Sequence, residues 1–383
     1  MQELSRTDLE HIMIGCTFLG TGGGGSLEIG RQNLQATLEA GHTFRLMSVD
    51  EMGDDDYAAS PYDVGSLEPP SNSGGGESSG GEENTQTVAA YKALMNYMDK
   101  HFTAVAIGEI GPESTAAALI VAAKLGLVSL DADGIGRAAP EILQYSVLVA
   151  GLSTLPAAGV SKSGDEIIIT KLSDSSQEEK IFRAIAAQDS YVSVADAPMP
   201  GSVARKPGVL VTGSISLCLR IGSAFEKAKH DSEDPIKAVI DAAEGLWLFE
   251  GTVKESESRD EDGFTKGSVV IEGSGDHQGE TCHITFQNEN LVALIGNTVL
   301  ATVPDLITVV DRESSMPVEN PQYKKGQAVV IVGFPANKIW RTKKGLEAFG
   351  PEHFDLRTPD GKPISYETIE ERYAHYERER RAD

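Results

Sequence analysis

Residues 104–133 read AVAIGEIGPESTAAALIVAAKLGLVSLDAD, and the order of elements in this stretch decides the fold. The apolar run AVAIGE predicts a buried strand that ends on a carboxylate, Glu109. Pro112 then opens PESTAAALIVAAKLG as a helix, at the first turn where a missing N–H is tolerated. LVSLDAD predicts the next strand, ending on Asp131 and Asp133. A strand–helix–strand run of this length joins parallel strands whose two faces are both covered. The expected class is therefore α/β, with an N-terminal three-layer α/β domain containing a parallel sheet over residues 1–170.

Upstream of this unit, Leu9, Ile12, Met13, Cys16 and Leu19 fall on one face of a helix, with Thr7 and Glu10 spaced as a capping box. That helix runs into Gly22, Gly23, Gly24 and Gly25, after which Ser26 is placed to cap a second helix, and HTFRLMSV predicts a short strand. Residues 50–85 are acidic, rich in Gly, Ser and Pro, and poor in apolar side chains, so they are expected to form a disordered surface insert. Downstream, DEIIITKL predicts a strand and EEKIFRAIAAQ a helix, while GVLVTGSISLCLRIGSAFEKAKH and DPIKAVIDAAEG add two more helices. From Leu246 the chain becomes a series of short alternating runs separated by turns, the pattern of an antiparallel sandwich or barrel. A mixed, then mainly β, domain is expected over 171–365, with a charged tail over 366–383 that is either a helix or frayed.

Acidic residues outnumber basic ones 58 to 33, and a formal charge of -25 repels phosphate backbones and anionic membrane surfaces, so neither is expected as a partner. The three cysteines, Cys16, Cys218 and Cys282, form no CxxC pair, which argues against a disulfide framework and for a reducing compartment. With no apolar leader and no run long enough to span a bilayer, the chain is expected in the cytoplasm.

Chemistry can be sought in three places. The glycine run lacks the strand that precedes a dinucleotide fingerprint and the Gly-Lys-Ser/Thr of a P-loop. Two readings remain: a tight interhelical turn, or backbone amides exposed at a helix N-terminus to hold a small anion, a carboxylate or a developing oxyanion. Cys16 beside this run is either a core residue or a thiol activated by the helix end. The second place is LDADGIGRAAPE: Asp131 and Asp133 are two apart and point the same way if the strand continues, at the strand edge where open α/β sheets bind ligands. With Glu109 on the neighbouring strand end, they form either a general acid–base set or oxygen ligands for a divalent metal. Arg137 either pairs with Asp133 or clamps a substrate carboxylate, with Glu141 nearby. The third place is FQNENL, whose Asn288 and Asn290 either read a cyclic amide or decorate a turn.

The motifs GCTFLGTGGGGSLEIGR, DADGIGRAAPE, FQNENLVALIGNTVLATVPDLITVVD and GLEAFGPEHFDL occur in this order over about residues 8–358. Together they resemble the S-methyl thiohydantoin desulfurase-like family. The resemblance implies an α/β domain followed by a mainly β domain, and hydrolytic release of methanethiol from an S-methylated thiohydantoin ring. It implies a site drawn from Gly22 to Gly25, Asp131, Asp133, Arg137, Glu141 and the Asn288 to Asn290 segment. It also implies association with a hydantoinase or oxoprolinase subunit, either as an enzyme or as a non-catalytic module of such an assembly, and a homo-oligomer is expected. Ser26 stands where many relatives are expected to carry Asp, a departure that bears on the activity.

Overall fold

The computed structural model describes residues 1–65, 85–261 and 263–380, and the chain divides into two compact units. The first comprises Met1–Met13, Gly24–Gly136 and Glu141–Ser216; the second comprises Ile14–Gly23, Arg137–Pro140 and Leu217–Asp383.

In chain order, the first part of the molecule contains β1 (Gln2–Leu4), α1 (Arg6–Leu19), α2 (Leu27–Glu39), β2 (Phe44–Met47) and β3 (Tyr57–Gly65). There follow α3 (Thr85–Met98), β4 (Phe102–Ile107), α4 (Pro112–Leu125), β5 (Val128–Asp133) and α5 (Ser146–Val149). Next come β6 (Ala157–Ser161), β7 (Glu166–Ile169), α6 (Ser176–Asp189), β8 (Tyr191–Pro200), α7 (Gly201–Ala204) and β9 (Val211–Thr212). The strands of this unit form one sheet in the order β1-β2-β5-β4-β3-β8-β6-β7, with β9 beside β5. Its centre, β2-β5-β4-β3, is parallel as the βαβ reading requires, and the flanking pairs are antiparallel.

The centre is parallel because β4 and β5 are buried on both faces and α4 covers them with a nearly unbroken run of buried Ala, Leu, Ile and Val. Pro112 occupies the first turn of α4, and Gly126 ends it in the left-handed region at φ 70°. At α1 the cap lies earlier than the Thr7–Glu10 spacing predicts. Ser5 Oγ accepts the Asp8 amide at 3.1 Å while Asp8 Oδ2 accepts the Ser5 amide at 2.8 Å, closing the box two residues upstream.

One sequence expectation is corrected. Residues 57–65, assigned to a disordered insert, are the central strand β3, because Ala58, Ala59 and Ser60 are small enough to be buried between β4 and β8. Residues 50–56 are ordered as well, beginning with a 3-10 turn over Val49–Glu51 capped by Ser48, and Thr85 opens the next helix; the remainder of that expectation, 66–84, lies outside the described residues. By packing, the first compact unit runs on to Ser216, since β8 and β9 complete its sheet.

The second unit follows with α8 (Ser214–His230, whose first turn belongs to the first unit), α9 (Pro235–Ala242), β10 (Leu246–Glu261), β11 (Phe264–Gly273) and β12 (Thr281–Gln287). It ends with β13 (Glu289–Ile295), β14 (Thr298–Thr302), β15 (Leu306–Asp311), β16 (Ala328–Phe334), α10 (Lys343–Phe349) and α11 (Ile369–Arg380). Its seven strands are antiparallel in the order β14-β13-β12-β11-β10-β16-β15, an antiparallel β half-barrel. The strands alternate as the sequence predicts, and the inward set (Phe249, Ile271, Ile284, Val309 and Ile331) makes the core. The charged C-terminal segment is a docked helix: Ile369 and Tyr376 of α11 are buried in that core, Tyr373 packs against it, and Arg and Glu side chains occupy most of the other positions. Among the described residues no helix is long and apolar enough to cross a membrane.

Candidate active site

The glycine run is a tightly held bend. Gly22, Gly24 and Gly25 take φ of 92°, 77° and 84°, values that a side chain would strain. In the first unit, Gly24 O accepts the Glu113 amide at 3.0 Å, and a Cβ at Gly111 would lie 2.3 Å from Gly24 Cα. The Ser26 amide at the start of α2 donates to Glu113 Oε1 at 2.5 Å. An internal carboxylate thus occupies the position where an anion would meet this helix N-terminus. In the second unit, Gly22 O accepts the Asn320 amide at 2.9 Å, and a Cβ at Gly23 would lie 1.9 Å from Glu289 Oε1. A phosphate would have to displace a glutamate at either place.

The two carboxyl groups of β5 have different surroundings. Asp131 Oδ1 accepts the amides of Ile215 and Ser216 at 3.0 and 2.9 Å, and its Oδ2 accepts the Ser216 hydroxyl at 2.5 Å. It is the cap of α8, delivered by another strand, and its geometry is that of a structural tie. Asp133 is fully buried; its Oδ2 accepts the amides of Ile135 and Gly136 at 2.8 and 2.5 Å, while Oδ1 has no hydrogen-bond partner. Burial pushes its pKa up to about 7, the two amides and the Ser214 hydroxyl oppose the shift, and the Glu109 carboxylate adds to it. Glu109 is half-buried just beyond β4, which pairs with β5 at Ile107 and Asp133, and it accepts the Ser114 hydroxyl at 2.7 Å.

Asp131 and Asp133 therefore do not converge as metal ligands. One is directed into the first turn of α8 and the other into its own turn, and among the described residues no three His, Cys, Asp or Glu side chains gather to hold an ion. The pair does not fit the divalent-metal reading, because neither carboxyl leaves both oxygens available on one side.

Arg137 belongs to the second unit, and all of its N–H groups are engaged. Nε donates to Ala138 O, one terminal nitrogen to Pro304 O and Asp305 O, and the other to Thr21 Oγ1 and Asn290 O, at 2.9–3.3 Å. It lies over the Phe349 ring at 5.0 Å and is 1% exposed, with no donor to spare for a substrate carboxylate.

The asparagines are similarly engaged. Asn288 sits at φ 55° with Oδ1 accepting the Thr265 amide, and Asn290 donates to Ile307 O while accepting from Asn320. They hold the β12–β13 turn and tie β13 to β15, the turn role of the two weighed for them. Glu141 belongs to the first unit and is half-buried, with its amide on Gln144 Oε1 at 2.9 Å. Cys16 is buried on the core face of α1.

Several residues of the first unit escaped the sequence reading. Ser214 follows Gly213, which takes φ 78° between β9 and α8, and its hydroxyl is buried with no hydrogen bond of good geometry. β9 pairs with β5 at Ala132 and Asp133, so Ser214 stands beside the two carboxylates. Tyr145, Ser60, Tyr62, Asp196 and Glu178 form a further buried polar group. A turn of the form strand–Gly–Ser–helix was the available signal for Ser214, and an Asp within the apolar strand YVSVADAPMP was that for Asp196.

A protein from Chromobacterium violaceum, known from its crystal structure, is similar over 96% of this chain and 100% of its own, with 25% identity and a TM-score of 0.78. No curated protein matches the chain. Two family models match consecutive stretches, the S-Me-THD-like N-terminal domain over residues 7–171 and the S-Me-THD-like C-terminal domain over 173–364. The name fits a thiohydantoin-related activity of the desulfurase or hydrolase kind. An α/β unit with a parallel centre, an antiparallel β half-barrel and two consecutive family matches all agree: the chain belongs to the S-Me-THD-like family.

Proposed function

We propose that this chain is a hydrolase acting on a small five-membered cyclic amide or S-methylated thiohydantoin-type ring, with Asp133 as its general base. The observation that carries this reading is the Asp133 carboxyl: fully buried at the C-terminal edge of the parallel sheet, with Oδ1 lacking a partner and a pKa pushed up to about 7. A base is most effective when its pKa lies near the working pH, and buried polar groups without partners gather where chemistry is done.

In the reaction, Asp133 takes a proton from water as the water oxygen bonds to the ring carbon carrying the S-methyl group. The electrons of the C=N bond move to the ring nitrogen, which receives that proton. Asp133 then takes the remaining hydroxyl proton as the carbonyl forms and the C–S bond breaks, and methanethiolate leaves to be protonated. Glu109 supports the step by raising the affinity of Asp133 for its proton. Ser214, on the turn after the strand that pairs with β5 at Asp133, supplies the polar group nearest the ring. Asp131 acts as a positioning residue by fixing the first turn of α8 next to Ser214.

The test is turnover of S-methylated thiohydantoins, hydantoins and lactams by the purified chain, with release of methanethiol followed by a thiol reagent. Wild type should be active and D133N should lose about 10²–10⁴-fold in kcat while remaining folded. Full activity in D133N would remove the assignment.

A further inference from the structure

Beyond Asp133, a file of buried polar side chains crosses the sheet of the first unit, and the reaction as written leaves it unused. Ser60 on β3 stands directly opposite Asp196 on β8, where the ladder shifts register after Ala58 and Ala197 takes φ 49°. The Tyr145 hydroxyl lies 2.6 Å from Ser60 Oγ. Its ring covers Gly134, the residue after Asp133, so closely that a Cβ there would be 1.6 Å from Cε2. At the far end, Asp196 Oδ2 accepts the Tyr62 hydroxyl at 3.2 Å, and Glu178 Oε2 of α6 accepts the Thr154 hydroxyl.

The other two oxygens, Asp196 Oδ1 and Glu178 Oε1, are buried with no hydrogen-bond donor, and the residues are 1% and 0% exposed. No Lys, Arg or His among the described residues pairs with either carboxyl; Arg183, on the next turn of α6, pairs with Glu179 at 2.7 Å. Two bare carboxylates in such surroundings would repel each other without compensation, whereas one proton between them supplies the missing donor and removes the repulsion. Burial, then the charge of Glu178, pushes Asp196 well above the carboxylate range, and burial raises Glu178 as well. The titratable groups facing the pair are Tyr62 from β3 and Tyr145 from the segment before α5. Tyr145 also feels Asp133.

We propose that Glu178 and Asp196 hold one proton between them, linked to Asp133 through Ser60 and Tyr145, and that this pair is the store from which the departing sulfur is protonated. The inference rests on the hydrolase reading for its catalytic half. Methanethiolate takes the Tyr145 hydroxyl proton as the C–S bond breaks, Tyr145 regains one from the pair by way of Ser60, and the proton gathered by Asp133 returns along the same file. No oxidant or cofactor enters, and the protein ends with the protons it began with.

The pair can be tested without a substrate by infrared difference spectroscopy on E178Q/D196N against wild type at about pH 8, above the ordinary carboxylate range. The double variant should lose one protonated-carboxyl stretch and one carboxylate stretch; loss of two carboxylate stretches, or of two protonated ones, overturns the shared proton. For the catalytic half, Y145F should retain both bands yet lower kcat about tenfold, with KM within about twofold and an altered pH profile of kcat. An unchanged kcat and pH profile in Y145F, on a ring that wild type turns over, would show the file to be structural. If wild type turns over no such ring, the hydrolase reading and the catalytic half fall together, while the spectra still decide whether the proton is shared.

Discussion

Arg137 in one unit and Asp133 in the other are both buried residues of a charged type, four positions apart in sequence, and their surroundings are opposite. Every N–H of the Arg137 guanidinium meets a protein oxygen, whereas half of the Asp133 carboxyl meets none. A charge fully matched by fixed dipoles stabilises one arrangement of the chain and has no capacity left for a ligand. A carboxyl that is buried but only half matched keeps its proton near neutrality and can exchange it. Burial alone does not separate architecture from chemistry; the count of unmet donors and acceptors does.

The contrast can be broken by exchanging the consequences. D133N, which keeps an oxygen for the two amides, should cost about 10²–10⁴-fold in kcat, or about 3–5 kcal/mol of transition-state stabilisation, with little loss of stability. R137K should do the reverse. A lysine cannot supply the forked donors, so buried carbonyls lose their partners and the urea midpoint should fall by an amount equivalent to about 3 kcal/mol or more. If R137K unfolds at the wild-type midpoint, the structural reading of Arg137 is wrong.

A smaller effect sharpens the other side. Asp133 binds its proton more tightly folded than unfolded, so between about pH 4 and pH 7 the native state holds more protons and its stability falls as pH rises. Asn does not titrate. The melting temperature of D133N relative to wild type should therefore climb by a few degrees between about pH 5 and pH 8, and a constant difference over that window would contradict the raised pKa. The smallest expected change is in D131A, which removes the cap of α8 and should cost about 0.5–2 kcal/mol by urea titration.

Much of the architecture was legible in the sequence because it rests on local periodicity. The βαβ stretch at 104–133 gave the parallel centre, and the alternation after Leu246 gave the antiparallel strands. β3 was not legible, since YAASPYDVG follows an acidic, glycine-containing run and its burial depends on strands from 102–107 and 191–200. α11 was legible as a charged helix or a frayed tail but not as a docked element: its two buried anchors, Ile369 and Tyr376, are too few to stand out among the charges around them.

The candidate site divides in the same way. Asp133 and Glu109 could be named from strand ends, which is a matter of position along the chain. That Asp131, two residues away, caps a helix 84 residues further on could be learned only once β9 was laid beside β5. By itself the sequence determined which segments are strands and helices, and that carboxylates end the central strands, because side-chain spacing fixes which faces are apolar. Only the tertiary structure decided which polar atoms meet a partner. Hydrogen bonds form between atoms brought within about 3 Å of each other, and residues distant in sequence reach that separation only through the packing of the whole unit.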